Sequence, residues 1–78
     1  MTLKIISAKE IAFEGSATSV TLPGTMGAFT VLDRHATLIS TLAPGTIVYK
    51  DQNGEEHSIE VPGGLADIDN NVVSVCIY

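Results

Sequence analysis

LADIDNNVVSVCI, residues 65–77, decides the fold. Apolar and polar residues alternate on both sides of Asn70-Asn71, which is the period-2 pattern of a half-buried strand. Asparagine tolerates the left-handed backbone that a two-residue hairpin turn needs at both central positions. A turn centred there pairs Ile68 with Val73 and Ala66 with Val75 on one face, and Asp67 with Ser74 on the other. One face is apolar and one polar, as expected of an antiparallel pair that covers a core on one side. Val75-Cys76-Ile77-Tyr78 therefore reads as a closing strand.

The same reading extends upstream. Thr46 to Lys50 leads into Asp51-Gln52-Asn53-Gly54-Glu55-Glu56, and the chain returns through His57 to Val61. A type I′ turn centred on Asn53-Gly54 would place Val48 opposite Ile59. Gly63-Gly64 allows a sharp corner between the two hairpins. Leu3-Lys4-Ile5-Ile6 and Ile11-Ala12-Phe13 read as short strands, the second ended by Gly15. Ser19-Val20-Thr21-Leu22 stops at Pro23-Gly24, and Phe29-Thr30-Val31-Leu32 is a further strand. Thr37 to Leu42 also fits a helical turn through Leu38, Ile39 and Leu42, but Pro44-Gly45 closes it early and strand is the expectation. About eight to ten short strands without a long helix predict an all-β protein, a small antiparallel β-sandwich or barrel.

With 78 residues the chain is expected to form one domain, residues 1–78. A folded surface of about 4,500 Å² follows from its size and leaves a thin core, in which a buried multi-residue active site would displace much of the apolar packing. Nine acidic residues face four basic ones, for a net charge of −5. Such a chain repels phosphates and anionic lipid, so nucleic acid and direct membrane insertion are not expected. No stretch reaches the length and apolarity of a membrane span, and the N-terminus lacks the pattern of a signal peptide. Cys76 is the single cysteine, which excludes an internal disulfide and suits a small core or partly buried apolar position.

Residues for chemistry are sparse. His35 and His57 are the two histidines, and their spacing from cysteines and carboxylates matches no zinc motif. There is no nucleophile elbow and no phosphate loop. Glu55 and Glu56 read as solvated turn acids, Asp67 and Asp69 as solubilising, and Asp33-Arg34 as a local turn pair. No catalytic, cofactor-binding or metal site is therefore expected. One anomaly stands out: from Gly15 to Leu32 there is no charge, and Met26, Ala28 and Phe29 sit at or beside a glycine-flanked tip. Two readings stay open. Phe29 turns into the core and Met26 is simply exposed, or this uncharged end is a docking face, since contact centres are poor in charge and rich in Met and aromatics.

Leu22-Pro23-Gly24-x-x-Gly27-x-Phe29, Val31-Leu32 and His35-Ala36-x-Leu38 together resemble the epsilon subunit family of the F-type ATP synthase. Leu3-x-Ile5-x-Ser7, Phe13-x-Gly15, Gly45-x-Ile47 and Val61-x-Gly63-Gly64 continue the likeness in order, so it covers the whole chain. It implies a ten-stranded β-sandwich at the foot of the central rotor stalk, bound to the gamma subunit and resting on the loops of the c-ring. It further implies a non-catalytic role in coupling proton flow to ATP synthesis, without a cofactor. The expected location is peripheral, at the cytoplasmic face of the bacterial inner membrane, and the isolated chain is expected to be a monomer. Carried over position by position, the c-ring contact falls on Met26, Gly27, Ala28 and Phe29, and the gamma-facing surface includes Ser7, His35 and Ser40. Thr37 stands where the family usually has proline. The two-helix hairpin that follows the sandwich in the family lies outside these 78 residues, so the regulation of hydrolysis carried by that hairpin is not expected of them. The competing reading is a lipoyl- or biotinyl-type carrier domain, also an acidic β-sandwich of similar size. Lys50 would be its attachment point, but it precedes the turn and lacks the flanking residues of such domains.

Overall fold

The computed structural model of the protein describes residues 1–9 and 11–77, with the backbone but not the side chain of Ala12. Tyr78, read from the sequence as the last strand residue, lies outside the described residues. Nine strands occur among them, and no helix. They are β1 (Thr2–Ile6), β2 (Ile11–Ser16), β3 (Ser19–Leu22), β4 (Phe29–Leu32), β5 (Leu38–Leu42), β6 (Gly45–Lys50), β7 (Glu56–Val61), β8 (Gly64–Asp69) and β9 (Val72–Ile77). They form two sheets, ordered β2-β1-β9-β8-β5 and β4-β3-β6-β7, packed face to face as a β-sandwich. The resemblance implied ten strands. Between the β3–β4 loop and β5 the pairing is a single bridge, Gly24 with Leu42, too short to count as a strand.

Alternation builds the core. Leu3 and Ile5 of β1, Val20 and Leu22 of β3, Ile47 of β6, Ala66 and Ile68 of β8, and Val73 and Val75 of β9 all face inward and are fully buried. Fully burying a branched aliphatic side chain contributes about 1.5–3 kcal/mol. Among the described residues, no charged or polar one shares this interior. The first and last strands pair in parallel, Leu3 beside Val73 and Ile5 beside Val75, which ties the two ends of the chain into one sheet. Every other strand pairing among the described residues is antiparallel.

The β8–β9 hairpin has the register the sequence predicts: Ile68 opposite Val73, Asp67 opposite Ser74, Ala66 opposite Val75. Asn70 and Asn71 both have positive φ, 50° and 62°, as the type I′ turn requires. The corner before β8 follows too. Gly63 has φ 119°, and a Cβ on Gly64 would collide with the backbone carbonyl of Cys76.

Three expectations are corrected. The β6–β7 hairpin does not turn at Asn53-Gly54 alone. Lys50 pairs with Glu56 and the Asp51 N–H donates to the Glu55 carbonyl at 2.9 Å, which leaves residues 52–54 as the loop, and Ile47 rather than Val48 faces Ile59. Gly54 alone is left-handed (φ 81°), and its N–H donates to the Asp51 carbonyl at 3.0 Å. This is a type I turn followed by a left-handed glycine, the usual three-residue hairpin solution. The Asp51 carboxylate stabilises it by accepting the N–H groups of Asn53 (2.9 Å) and Glu55 (3.0 Å). A one-residue slip in register moves a strand's side chains to the other face, so Val48 points outward against Ser58. Second, β2 runs through Gly15 to Ser16, because Leu3 and Thr2 of β1 continue the ladder past the glycine. Third, Cys76 is exposed. It pairs with Leu65 on the outward face of the sheet, since Ala66 and Val75 already occupy the inward one.

Candidate docking site

The β3–β4 hairpin carries the uncharged tip. Pro23 and Gly24 end β3 because the chain turns there: the Gly24 N–H donates to the Leu22 carbonyl at 3.0 Å, and Gly27 N–H donates to the Gly24 carbonyl at 3.0 Å. Gly27 has φ 124°, and a side chain there would meet open space, so its constraint is conformational. Gly24 is constrained sterically. A Cβ on it would sit 2.7 Å from the Gly27 carbonyl oxygen and 2.9 Å from a carbon of the Phe29 ring. Phe29 therefore lies over the Gly24 backbone. It is half-buried and packs against the core, which answers one of the two readings left open by the sequence. Met26 is 100% exposed, and Thr25, Gly27 and Ala28 are exposed beside it.

The tip is tied down on its other side. Thr25 N–H donates to the Thr41 carbonyl (3.0 Å), and the two threonine hydroxyls are 2.7 Å apart. Ala43 N–H donates to the Pro23 carbonyl at 2.8 Å, and Pro23 covers Gly45, where a Cβ would come within 2.9 Å of it. The result is an apolar, uncharged loop braced by β5 and the start of β6, with a flexible methionine at its apex. Met adapts its shape to whatever surface meets it.

Ser7, His35 and Ser40 do not form a cluster. Ser7 follows β1 and is half-buried, whereas Ser40 is in β5, with β9 and β8 between them in the sheet. Ser40 donates to the Thr41 carbonyl at 3.1 Å. His35 is exposed in the β4–β5 loop at the opposite end of β5, with Nδ1 2.7 Å from the Ala36 carbonyl. The ladders do place something between Ser7 and Ser40 that the sequence reading missed. On the outer face of the five-stranded sheet, Thr41, Leu65, Cys76, Ile6 and Ile11 fall in one row across all five strands. Leu65 and Ile11 are 43% and 56% exposed, and Ile39, on the same face, is 64% exposed. The row's signal was the isoleucine and leucine set at alternate, outward positions, visible only once the strand order is known.

Two further groupings were not expected. Asp33 and Arg34 sit in a turn closed by the His35 N–H on the Leu32 carbonyl at 3.2 Å, as read from the sequence, but each finds its partner elsewhere. The Asp33 carboxylate takes the Met1 ammonium at 2.6 Å, which holds it below the usual carboxylate range, while Arg34 turns with φ 63° and donates its N–H to Asn71 at 2.8 Å. At the β6–β7 hairpin, Asp51, Glu55 and His57 converge, with one ligand atom from each lying within 4.8 Å of the others. Lys50 ends β6 opposite Glu56 and outside that loop.

The described residues thus form a small β-sandwich with a braced apolar tip and an exposed apolar row across one sheet. A sequence model described as the beta-sandwich domain of the ATP synthase delta/epsilon chain matches residues 1–77, and the chain belongs to that family. Among relatives, it is 39% identical over 71 residues to the ATP synthase epsilon chain of Bordetella petrii, covering 91% of this chain and 50% of the relative. It is 40% identical over 72 residues to that of Thioalkalivibrio sulfidiphilus, covering 91% and 51%. The chain thus spans about half the length of these relatives. Its fold is similar to a chain in the Euglena gracilis mitochondrial ATP synthase with its c-ring, with a TM-score of 0.89 at 22% identity over 96% of this chain and 48% of that one. It is also similar to a chain in the Tetrahymena thermophila mitochondrial ATP synthase central stalk and c-ring, with a TM-score of 0.78 at 8% identity over 97% and 61%.

Proposed function

We infer that this chain is the β-sandwich of a central-stalk rotor subunit in a proton-translocating F-type ATP synthase. It binds the gamma subunit and the c-ring, transmits rotation between ion flow and ATP synthesis, and carries no catalytic site or cofactor of its own. It acts at the cytoplasmic face of the bacterial inner membrane as a peripheral component; no helix among the described residues is long and apolar enough to cross a membrane. Alone it is a monomer.

The observation that carries this reading is the tip. Met26, Gly27 and Ala28 project uncharged from one end of the sandwich, and Phe29 anchors them to the core. Such a tip suits the polar loops of a ring whose subunits repeat, because small residues permit close approach and Met26 adapts to each repeat. The gamma contact fits the outer face of the five-stranded sheet. Ser7 adjoins Ile6 at one end of the apolar row, and Ile39 and Thr41 carry the outer face at the other; Ser40 between them pairs with Ala66 on the inward face and would reach the contact only through its backbone. His35 lies beyond the far end of β5 and would contribute a hydrogen bond at the margin of that contact.

Co-purification tests the reading. The chain is mixed with separately prepared gamma subunit and detergent-solubilised c-ring, and complexes are isolated by size. Capture of both supports the proposal; capture of neither rejects it.

A further inference from the structure

We propose that the β6–β7 hairpin is a binding site for a divalent transition-metal ion of the zinc type, with His57 Nε2, an Asp51 carboxylate oxygen and a Glu55 carboxylate oxygen as ligands. This inference is independent of the rotor-stalk reading.

Geometry comes first. Three ligand atoms lie within 4.8 Å of one another, and His57 Nε2 is 2.8 Å from Asp51 Oδ2. A zinc ion holds nitrogen and oxygen ligands at about 2.0–2.2 Å, so its donors lie roughly 3–4 Å apart. The His57–Asp51 separation is already close to that spacing, and the third donor lies within 4.8 Å of both.

Orientation is built into the hairpin. Oδ1 of Asp51 accepts two backbone N–H groups, from Asn53 and Glu55, which fixes the carboxylate and directs Oδ2 toward His57. The Asp51 N–H donates to the Glu55 carbonyl at 2.9 Å, which sets the base of the loop and brings the third ligand across. His57 stacks on Tyr49, with ring centroids 5.1 Å apart and planes 25° apart. Tyr49 is 8% exposed and packs in turn on Phe13, at 4.9 Å. The imidazole plane is thus held by the core. Contacts of this kind hold two of the three ligands in place before an ion arrives.

The donor set selects the ion. One imidazole with two carboxylates suits zinc, cobalt or nickel, whereas calcium and magnesium favour oxygen donors alone. Three protein ligands leave coordination positions open to water or to a partner's side chain. Ligation takes the place of the His57–Asp51 hydrogen bond, since a ligating imidazole nitrogen presents its lone pair to the metal.

Titration of the untagged chain with zinc chloride, followed by calorimetry in a non-chelating buffer, tests the site. One ion per chain is expected, with affinity at least about tenfold weaker in His57→Phe, since ligand loss costs at least that much. Phenylalanine keeps the stack on Tyr49, so the fold is retained and can be checked by circular dichroism. His35→Gln, which removes the other histidine, should leave binding unchanged. Cobalt should give visible d–d absorption that disappears in His57→Phe. No heat of binding up to about millimolar zinc, binding unchanged in His57→Phe, or several weak ions per chain with no loss in that variant would each overturn the proposal.

Discussion

Phe29→Ala separates anchoring from docking at the tip. Phe29 pairs with the fully buried Leu22, and its ring covers Gly24 so closely that a Cβ there would come within 3.0 Å of two ring carbons. Truncating a fully buried phenylalanine costs about 3–5 kcal/mol. Phe29 is half-buried, so a figure below that range, about 2 kcal/mol, applies. A domain of this length holds about 4–12 kcal/mol of stability in total, so the loss is a large fraction of it. At about 4–8 °C per kcal/mol, Tm should fall by about 8–16 °C. Urea unfolding followed by far-ultraviolet circular dichroism measures the change, with an unchanged slope if the native and unfolded ensembles are otherwise the same. A loss under about 0.5 kcal/mol, the range of a neutral surface change, would refute the anchoring role and detach the tip from the core.

Further outcomes follow from other parts of the molecule. Gly64→Ala forces a Cβ into the Cys76 carbonyl and should destabilise by at least about 2 kcal/mol, read by the same urea titration; a neutral result would mean the β8–β9 ladder opens at little cost. The Asp51 carboxyl is held below the usual carboxylate range, first by the hydrogen bond from His57 and then by the N–H groups of Glu55 and Asn53, against the opposing effect of desolvation. A depressed carboxyl pKa stabilises the fold above the ordinary carboxylate pKa, and that contribution is lost as pH falls through the folded value. Asp51→Asn should therefore flatten the acid limb of a plot of stability against pH, and an unchanged limb would assign it to other carboxylates such as Asp33. His35→Ala should weaken gamma binding by about 1–2 kcal/mol if the imidazole lies in a desolvated contact, and equal affinities by calorimetry would place it outside the interface.

How far the sequence revealed the fold depended on which interactions set each element. Strands with clean alternation, such as Ser19–Leu22 and Phe29–Leu32, have the observed bounds because burial on one face dictates them. The Asn70-Asn71 turn was legible because both residues carry the conformational signal. The Asn53-Gly54 pair carried a similar signal and misled. Asp51 at the first position of the turn and Gly54 at the fourth favour a longer loop, and a side-chain carboxylate decides between them. The parallel pairing of β1 with β9 left no local trace, since it joins residues about seventy apart in sequence. For the same reason the apolar row through Leu65, Cys76, Ile6 and Ile11 and the meeting of Asp51 with His57 could not be read before the register was known. The tip was legible in outline, because glycine and proline mark turns and an absence of charge needs no topology.

Proton pumping by assembled enzyme carrying Met26→Asp tests the c-ring contact most directly. Met26 is 100% exposed and makes no core contact, so the substitution should change stability by less than about 0.5 kcal/mol. At a desolvated contact, however, an unpaired carboxylate is costly to bury. If the tip rests on the ring, the variant enzyme will hydrolyse ATP while pumping protons poorly, and the chain will dissociate from the ring more readily. Normal pumping with a normally folded Met26→Asp chain would contradict the assignment and remove the tip from the interface.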